Sequence, residues 1–244
     1  MRSFGNSVAG MQRKNNEDSI YVGNENLPVK NIFIVADGMG GHNAGEVASG
    51  HAIEKFVEYV KDNYDSENIL DVLLEGVIAA NKAVYDEAVS TEHENGMGTT
   101  FTCACIENEK LYAVHVGDSR IYILKDEKLQ QITNDHSFVM EMVKQGRITL
   151  EEARVHPKRN IITRAVGTEE TIDVDTVIKD FGENDVVLIC SDGLSGMICD
   201  DEIEKIIKEN EDVNQCIEKL IDRANENGGK DNISAIIIRN EVKA

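Results

Sequence analysis

Two segments of this sequence end a run of apolar residues in an aspartate and a glycine. One is IFIVADGMGGH at 32–42, with Asp37 and Gly38 following a buried-strand pattern. The other is VLICSDGLSG at 187–196, where Asp192 occupies the same place. A carboxylate at the end of a buried strand can enter a cleft, and a glycine after it lets the backbone approach a ligand closely. Either segment alone reads as an ordinary Asp-Gly turn. As a near-repeat, they suggest two strand ends facing one cleft. Two carboxylates converging there repel unless something neutralises them. A hard divalent cation, which prefers oxygen ligands, does so.

Further acidic residues lie at strand edges. Glu17 and Asp18 sit in RKNNEDSIYVG, Asp118 in VHVGDSRIYIL and Asp231 in NGGKDNISAIII. Singly, each reads as a turn residue; their repetition at strand edges is what points to cation chemistry. No Cys/His cluster has the spacing of a zinc site.

Composition narrows the remaining classes. The chain has 244 residues, 45 acidic against 25 basic, and a formal net charge of -20. There is no basic run, which argues against nucleic acid as a partner because phosphates must be neutralised. Most of the acid is read as solvated surface. The N-terminus lacks an apolar leader core, and no apolar run approaches the roughly 18 residues of a membrane-spanning helix. The five cysteines (103, 105, 190, 199 and 216) are odd in number and form no CxxC pair. Reduced, mostly buried thiols in the cytoplasm are therefore expected.

The elements that must position the carboxylates alternate in type. Strands are expected at 31–36, 99–106, 111–116, 120–124, 129–132, 186–191 and 233–238. Short polar turns between the four middle ones suggest an antiparallel meander. Asn43 is expected to cap a helix carrying Ala52, Phe56 and Val60 on one face. A second helix is marked by Leu70, Leu73, Val77, Ala80, Val84 and Ala88. Two more are expected near 201–209 and 213–226. With two prolines and no linker-like stretch, one domain over 1–244 is expected. Strands apolar on both faces point to an α+β fold: a central antiparallel β-sandwich flanked by helix pairs, in α-β-β-α layers.

The ordered motifs GMQRKNNED (10–18), VADGMGGH (35–42), GTT (98–100), VGDSR (116–120), HP (156–157), TRAVG (163–167), CSDGL (190–194) and GGKDNIS (228–234) resemble those of the PPM, or type 2C, protein phosphatases, in particular compact bacterial members. They run in that family's order through nearly the whole chain. The resemblance implies a site for two Mn2+ or Mg2+ ions. It makes Asp37 a bridging ligand, the Gly38 carbonyl a ligand of one ion, and Asp192 and Asp231 ligands of the other. Asp18 would act largely through metal-bound water, with help from Glu17. Asp118 and Asp192 would hold a third, weaker ion.

It further implies hydrolysis of phosphoserine and phosphothreonine in proteins by a metal-bridged hydroxide, without a phosphoenzyme. The absence of a Cys-x5-Arg signature agrees. Arg13 would grip the phosphate and His42 would protonate the leaving alkoxide; many eukaryotic relatives carry a histidine where this chain has Met39. His51, His93, His115, His136 and His156 are read as structural, the last two framing a flap near 138–165. The expected partners are phosphoproteins and a cognate serine/threonine kinase, with no nucleic acid or membrane, for a monomer. Without a broad basic patch, substrate charge is expected to be met at the metals and Arg13. The alternatives are a narrow-target phosphatase of the anti-sigma-antagonist type and a non-catalytic pseudophosphatase binding module.

Overall fold

The structure is a computed structural model that describes residues 1–23, 30–41, 44–90 and 96–240. His42 and Asn43, expected as proton donor and helix cap, lie outside the described residues, as does His93.

Eleven strands and seven helices are described. They run β1 (Arg2–Val8), β2 (Asp18–Val22), β3 (Ile32–Met39), α1 (Ala44–Asn63), α2 (Ile69–Ser90), β4 (Gly98–Thr99), β5 (Phe101–Glu107), β6 (Lys110–Val116), β7 (Arg120–Lys125) and β8 (Lys128–Gln131). There follow α3 (Phe138–Lys144), α4 (Leu150–Val155), β9 (Asp175–Asp180), β10 (Val186–Cys190), α5 (Asp192–Ser195), α6 (Asp200–Glu209), α7 (Val213–Glu226) and β11 (Ile233–Arg239). One sheet has the order β1-β11-β10-β7-β8. The other runs β2-β3-β5-β6-β9, with β4 paired to β3. All the pairings are antiparallel.

The sheets stack because their strands are apolar on both faces. In β3, Phe33 and Val35 point into the layer between the sheets, where they meet Ile121, Val187, Ile189 and Ile236. The alternate residues Ile32, Ile34 and Ala36 pack outward with Ala52, Phe56, Leu73 and Val77 of α1 and α2. In the other sheet, Leu188, Cys190, Ala235 and Ile237 pack outward with Ile203, Ile207, Ile217 and Leu220 of α6 and α7. Three apolar layers thus separate four structural ones, giving the α-β-β-α order expected from the sequence.

The expected meander does not form. β5 pairs with β6, and β7 with β8, but β6 and β7 belong to different sheets. The chain crosses at Gly117–Ser119, where Gly117 has φ +109°, a left-handed conformation that favours glycine. The polar turn there looks like a hairpin in sequence, yet it carries Asp118 from one layer to the next.

All five thiols are free, and Cys199 is exposed while the other four are buried. Cys103 and Cys105 share the face of β5 that meets α1 and α2. Among the described residues, no helix is long and apolar enough to cross a membrane.

Candidate metal centre

Strand register gathers the acidic residues at one end of the sandwich. Asp18 begins β2 and stands directly opposite Asp37, near the end of the antiparallel β3. In the other sheet, Arg120 at the start of β7 pairs with Cys190 at the end of β10, and Cys190 pairs with Ala235 near the start of β11. Asp118, Asp192 and Asp231 sit just outside these three strand ends. The antiparallel order therefore brings together carboxylates far apart in sequence.

Their electrostatics show how closely they converge. Like charges across a strand pair destabilise one another, and burial disfavours the charged form. Burial, and then the charges of Asp18, Asp192, Asp118 and Asp231, push the Asp37 carboxyl well above the usual carboxylate range. Burial raises Asp18 to about 7 despite two hydroxyl hydrogen bonds, with Asp192 and Asp231 adding to the rise. Burial and Asp231 raise Asp192 to about 6; its carboxyl lies close enough to Asp37 to share a proton. Asp118 is also raised well above its usual value, by burial and then by Asp192 and Asp135. The fold thus disfavours the charged form of each of these carboxyls, a penalty that nearby positive charge would relieve.

One oxygen is left where a further group could bind. Asp18 Oδ2 accepts hydrogen bonds from the hydroxyls of Ser191, at 2.9 Å, and Ser234, at 2.6 Å. Asp18 Oδ1 is buried and has no hydrogen-bond partner among the described residues. An unpartnered buried polar atom is costly. Among the described residues, no group of three or more His, Cys, Asp or Glu side chains is arranged to hold a metal ion by itself. Hard cations complete their shells with backbone carbonyls and water. The side chains gathered here offer only oxygen donors, and the Gly38 backbone follows Asp37 directly, so the donor set fits Mg2+ or Mn2+.

Glycine is required beside two of the carboxylates. A Cβ on Gly38 would lie 2.0 Å from the Gly45 carbonyl oxygen, and one on Gly193 would lie 1.9 Å from that of Asn232. The first glycine lets α1 begin against the end of β3; the second lets the turn after Asp192 pack on the segment carrying Asp231.

A supporting shell holds these elements. The Asp37 N–H donates to Thr100 Oγ1 at 2.9 Å, and Thr99 Oγ1 donates to the Asp37 carbonyl at 3.0 Å. Asn232 binds the 9–17 loop three ways: its Nδ2 donates to the carbonyls of Ala9 and Asn15, and its Oδ1 accepts from the Glu17 N–H. That loop carries Arg13, whose Nη2 donates to Asp231 Oδ2 at 2.9 Å. Glu17 lies beside it, its carboxyl raised by burial, lowered by Arg13 and raised by Asp231 and Glu46. His136 Nδ1 accepts the Gly117 N–H at 3.0 Å, which holds the turn before Asp118. Its Nε2 faces Asp175 Oδ2 at 3.2 Å.

The structure therefore gathers Asp18, Asp37, Gly38, Asp118, Asp192, Asp231 and Arg13 at one end of the sandwich, with Glu17 alongside. His115 and His156 lie outside this group: His115 packs against His136, and His156 caps α4. His51 pairs with Glu87 between α1 and α2. The supporting residues Thr100, Ser191, Asn232 and Ser234 were not singled out by sequence reasoning, although each is a letter of a motif quoted above. His136 was read only as structural, and nothing in its local sequence signals its bond to Gly117.

A family profile described as protein phosphatase 2C matches residues 3–233. The serine/threonine phosphatase stp of Listeria monocytogenes is 37% identical over 238 residues, covering 96% of this chain and 93% of that protein. The Mycobacterium tuberculosis phosphatase PstP/Ppp has a crystal structure that superposes with a TM-score of 0.91 at 37% identity, covering 99% of both chains. The PstP catalytic domain, solved in complex with two manganese ions, superposes with a TM-score of 0.86 at 36% identity, covering 97% of this chain and 96% of that one. The chain belongs to the protein phosphatase 2C family of metal-dependent serine/threonine protein phosphatases.

Proposed function

We propose that this chain hydrolyses phosphoserine and phosphothreonine in cytoplasmic proteins, acting as a monomer against a cognate serine/threonine kinase. The observation that carries this reading is the convergence of Asp18, Asp118, Asp192 and Asp231 on Asp37, beside a buried Asp18 oxygen that has no hydrogen-bond partner among the described residues. Asp37, the Gly38 carbonyl, Asp192, Asp231 and Asp18 would hold two Mn2+ or Mg2+ ions, and Asp118 with Asp192 a third. When bound, the ions would neutralise the phosphate dianion and lower the pKa of a water.

The protein's own groups supply the rest. Arg13 stands beside Asp231, where its guanidinium can turn to two phosphate oxygens and orient the ester. His42 follows the glycines after Asp37 in sequence and is the group proposed to donate a proton to the leaving alkoxide. Residues 1–244 act as one catalytic unit in this reading, with 138–165, which contain α3 and α4, as its flap.

The test compares two substrates. The purified protein should hydrolyse p-nitrophenyl phosphate and phosphothreonine peptides with Mn2+, and neither with chelator. His42→Gln should lower phosphopeptide turnover by about 10^2-fold or more, with a much smaller effect on p-nitrophenyl phosphate, whose leaving group needs little protonation. Full phosphopeptide activity in that variant would reject the acid role. No activity with any divalent metal would favour a binding module.

A further inference from the structure

A cleft of about 200 Å³ extends from Asp118 and Asp192 of the metal centre to residues the mechanism does not use. Asp118 and Asp192 line its inner end, and its walls come from α3, α4 and the stretch between α5 and α6. A bulk water occupies about 30 Å³, so the space suits one extended side chain.

Its charges do not all cancel. Arg120 is held by Asp135 through a paired contact, with Nη2 to Oδ2 at 2.7 Å and Nε to Oδ1 at 3.0 Å. Asp200 receives the Tyr122 hydroxyl at 3.2 Å and stands 4.0 Å from Arg154. Asp118 and Asp192 belong to the metal centre. Arg159 remains: it lines the cleft, is only partly exposed, and its guanidinium has no carboxylate or carbonyl partner among the described residues. An arginine without an anion is conspicuous in a chain of net charge -20.

The surrounding sequence shares this bias. Between Phe138 and Ala165 there are six basic residues against three acidic ones, Glu141, Glu151 and Glu152. Of the six, Arg164 is paired with Asp175, and Arg154 and Arg159 line the cleft. Leu150, 57% exposed, adds an apolar wall against which side-chain methylenes can lie.

We propose that this cleft is a specificity subsite that seats an anionic side chain of the substrate polypeptide, with Arg159 as its pairing group and Arg154 at the rim. The proposal rests on the phosphatase reading and deepens it. The anion is a carboxylate or a second phosphate close to the phosphoresidue being hydrolysed; the bidentate geometry of arginine suits both.

The test is a set of phosphothreonine peptides in which one glutamate, or in a matched set one lysine, is walked along the three or so positions on either side, with alanine peptides as reference. A parallel set carries a second phosphothreonine. One position should raise kcat/KM by about tenfold, mostly through KM, as a charge-assisted hydrogen bond allows. Which set responds more distinguishes carboxylate from phosphate. In Arg159→Glu the preference at that position should invert toward lysine, and in Arg159→Gln it should vanish. Each is read as a ratio within one variant, so loss of folded protein does not distort it. Equal kcat/KM at every position, or a preference unchanged in Arg159→Glu, overturns the subsite. If the unmodified protein fails to hydrolyse p-nitrophenyl phosphate with Mn2+, the phosphatase reading fails instead.

Discussion

Asp37 gathers the largest set of unfavourable neighbours in the centre: four other aspartates raise its carboxyl in addition to burial. Such a residue weakens the metal-free fold, and in the proposed function its role is to hold a cation. Asp37→Asn separates these two effects. It removes a carboxyl whose charged form the fold disfavours while keeping the shape, so in chelator at pH 8, where the parent must either hold that proton or carry the charge, the variant should melt higher than the parent. With Mn2+ its phosphatase activity should fall by more than about 100-fold, beyond the loss that removal of a mere outer partner produces. Thermal melts and initial rates check the two halves. A variant that melts lower in chelator would show that Asp37 is chiefly a structural hydrogen-bonding residue. The orphaned Asp18 Oδ1 carries the same logic, since its other oxygen is fully engaged by Ser191 and Ser234.

At the scale of elements, the 9–17 loop matters most because it brings Arg13 to the centre without helix or strand of its own. Its anchor is Asn232, 4% exposed, with hydrogen bonds to Ala9, Asn15 and Glu17. Asn232→Ala leaves two carbonyls and one N–H without these partners, at a cost of about 2–3 kcal/mol. Urea unfolding should show that loss, and the KM for phosphopeptides should rise more than kcat falls, because Arg13 is misplaced while the carboxylates remain. An unchanged KM would detach the loop from substrate binding.

The same loop shows what sequence can reveal. Asp37 and Asp192 were visible because each ends a strand of unbroken apolar residues, a pattern that marks both the element and the exit of its carboxylate. The residues that hold them are polar letters with no period: Thr100, Ser191 and Asn232 act through pairings set by the sheets. Edge strands were hidden for a related reason. β1 and β9 are mostly half-buried or exposed and lack the apolar run that betrays β3 and β10. The switch of sheets at Gly117 was missed because a short polar turn looks alike whether the next strand pairs with the last one or crosses to the other layer.

At the scale of the whole molecule, stability, pH and metal are one linked equilibrium. In the metal-free fold Asp18 titrates near 7 and Asp192 near 6, against 3.8 for an unhindered aspartate. Between those values the folded chain binds more protons than the unfolded one. These groups therefore favour the fold most below about pH 4, and that contribution is lost as pH rises through 6 and 7. His115 works in the opposite sense. Its Nδ1 faces the Thr102 hydroxyl and its Nε2 the Asn134 carbonyl, and burial lowers its pKa to about 4. Its contribution is full above about 6.5 and declines as pH falls toward 4. A melting curve in chelator alone mixes the two. The difference between melts with and without Mn2+ cancels His115, which takes no part in the proposed ligand set, and isolates the carboxylates. Cations require those carboxylates ionised, so binding competes with protons. With metal at about 100 times its dissociation constant, the gain is about 2.7 kcal/mol, or about 5–10 °C for a chain of this size. That rise should be present at pH 8 and less than half as large at pH 5.5 with the same metal concentration. Scanning calorimetry in Mn2+ and in chelator at the two pH values measures it. An equal rise at both would mean that the ion is not held by the proton-retaining aspartates at the end of the sandwich.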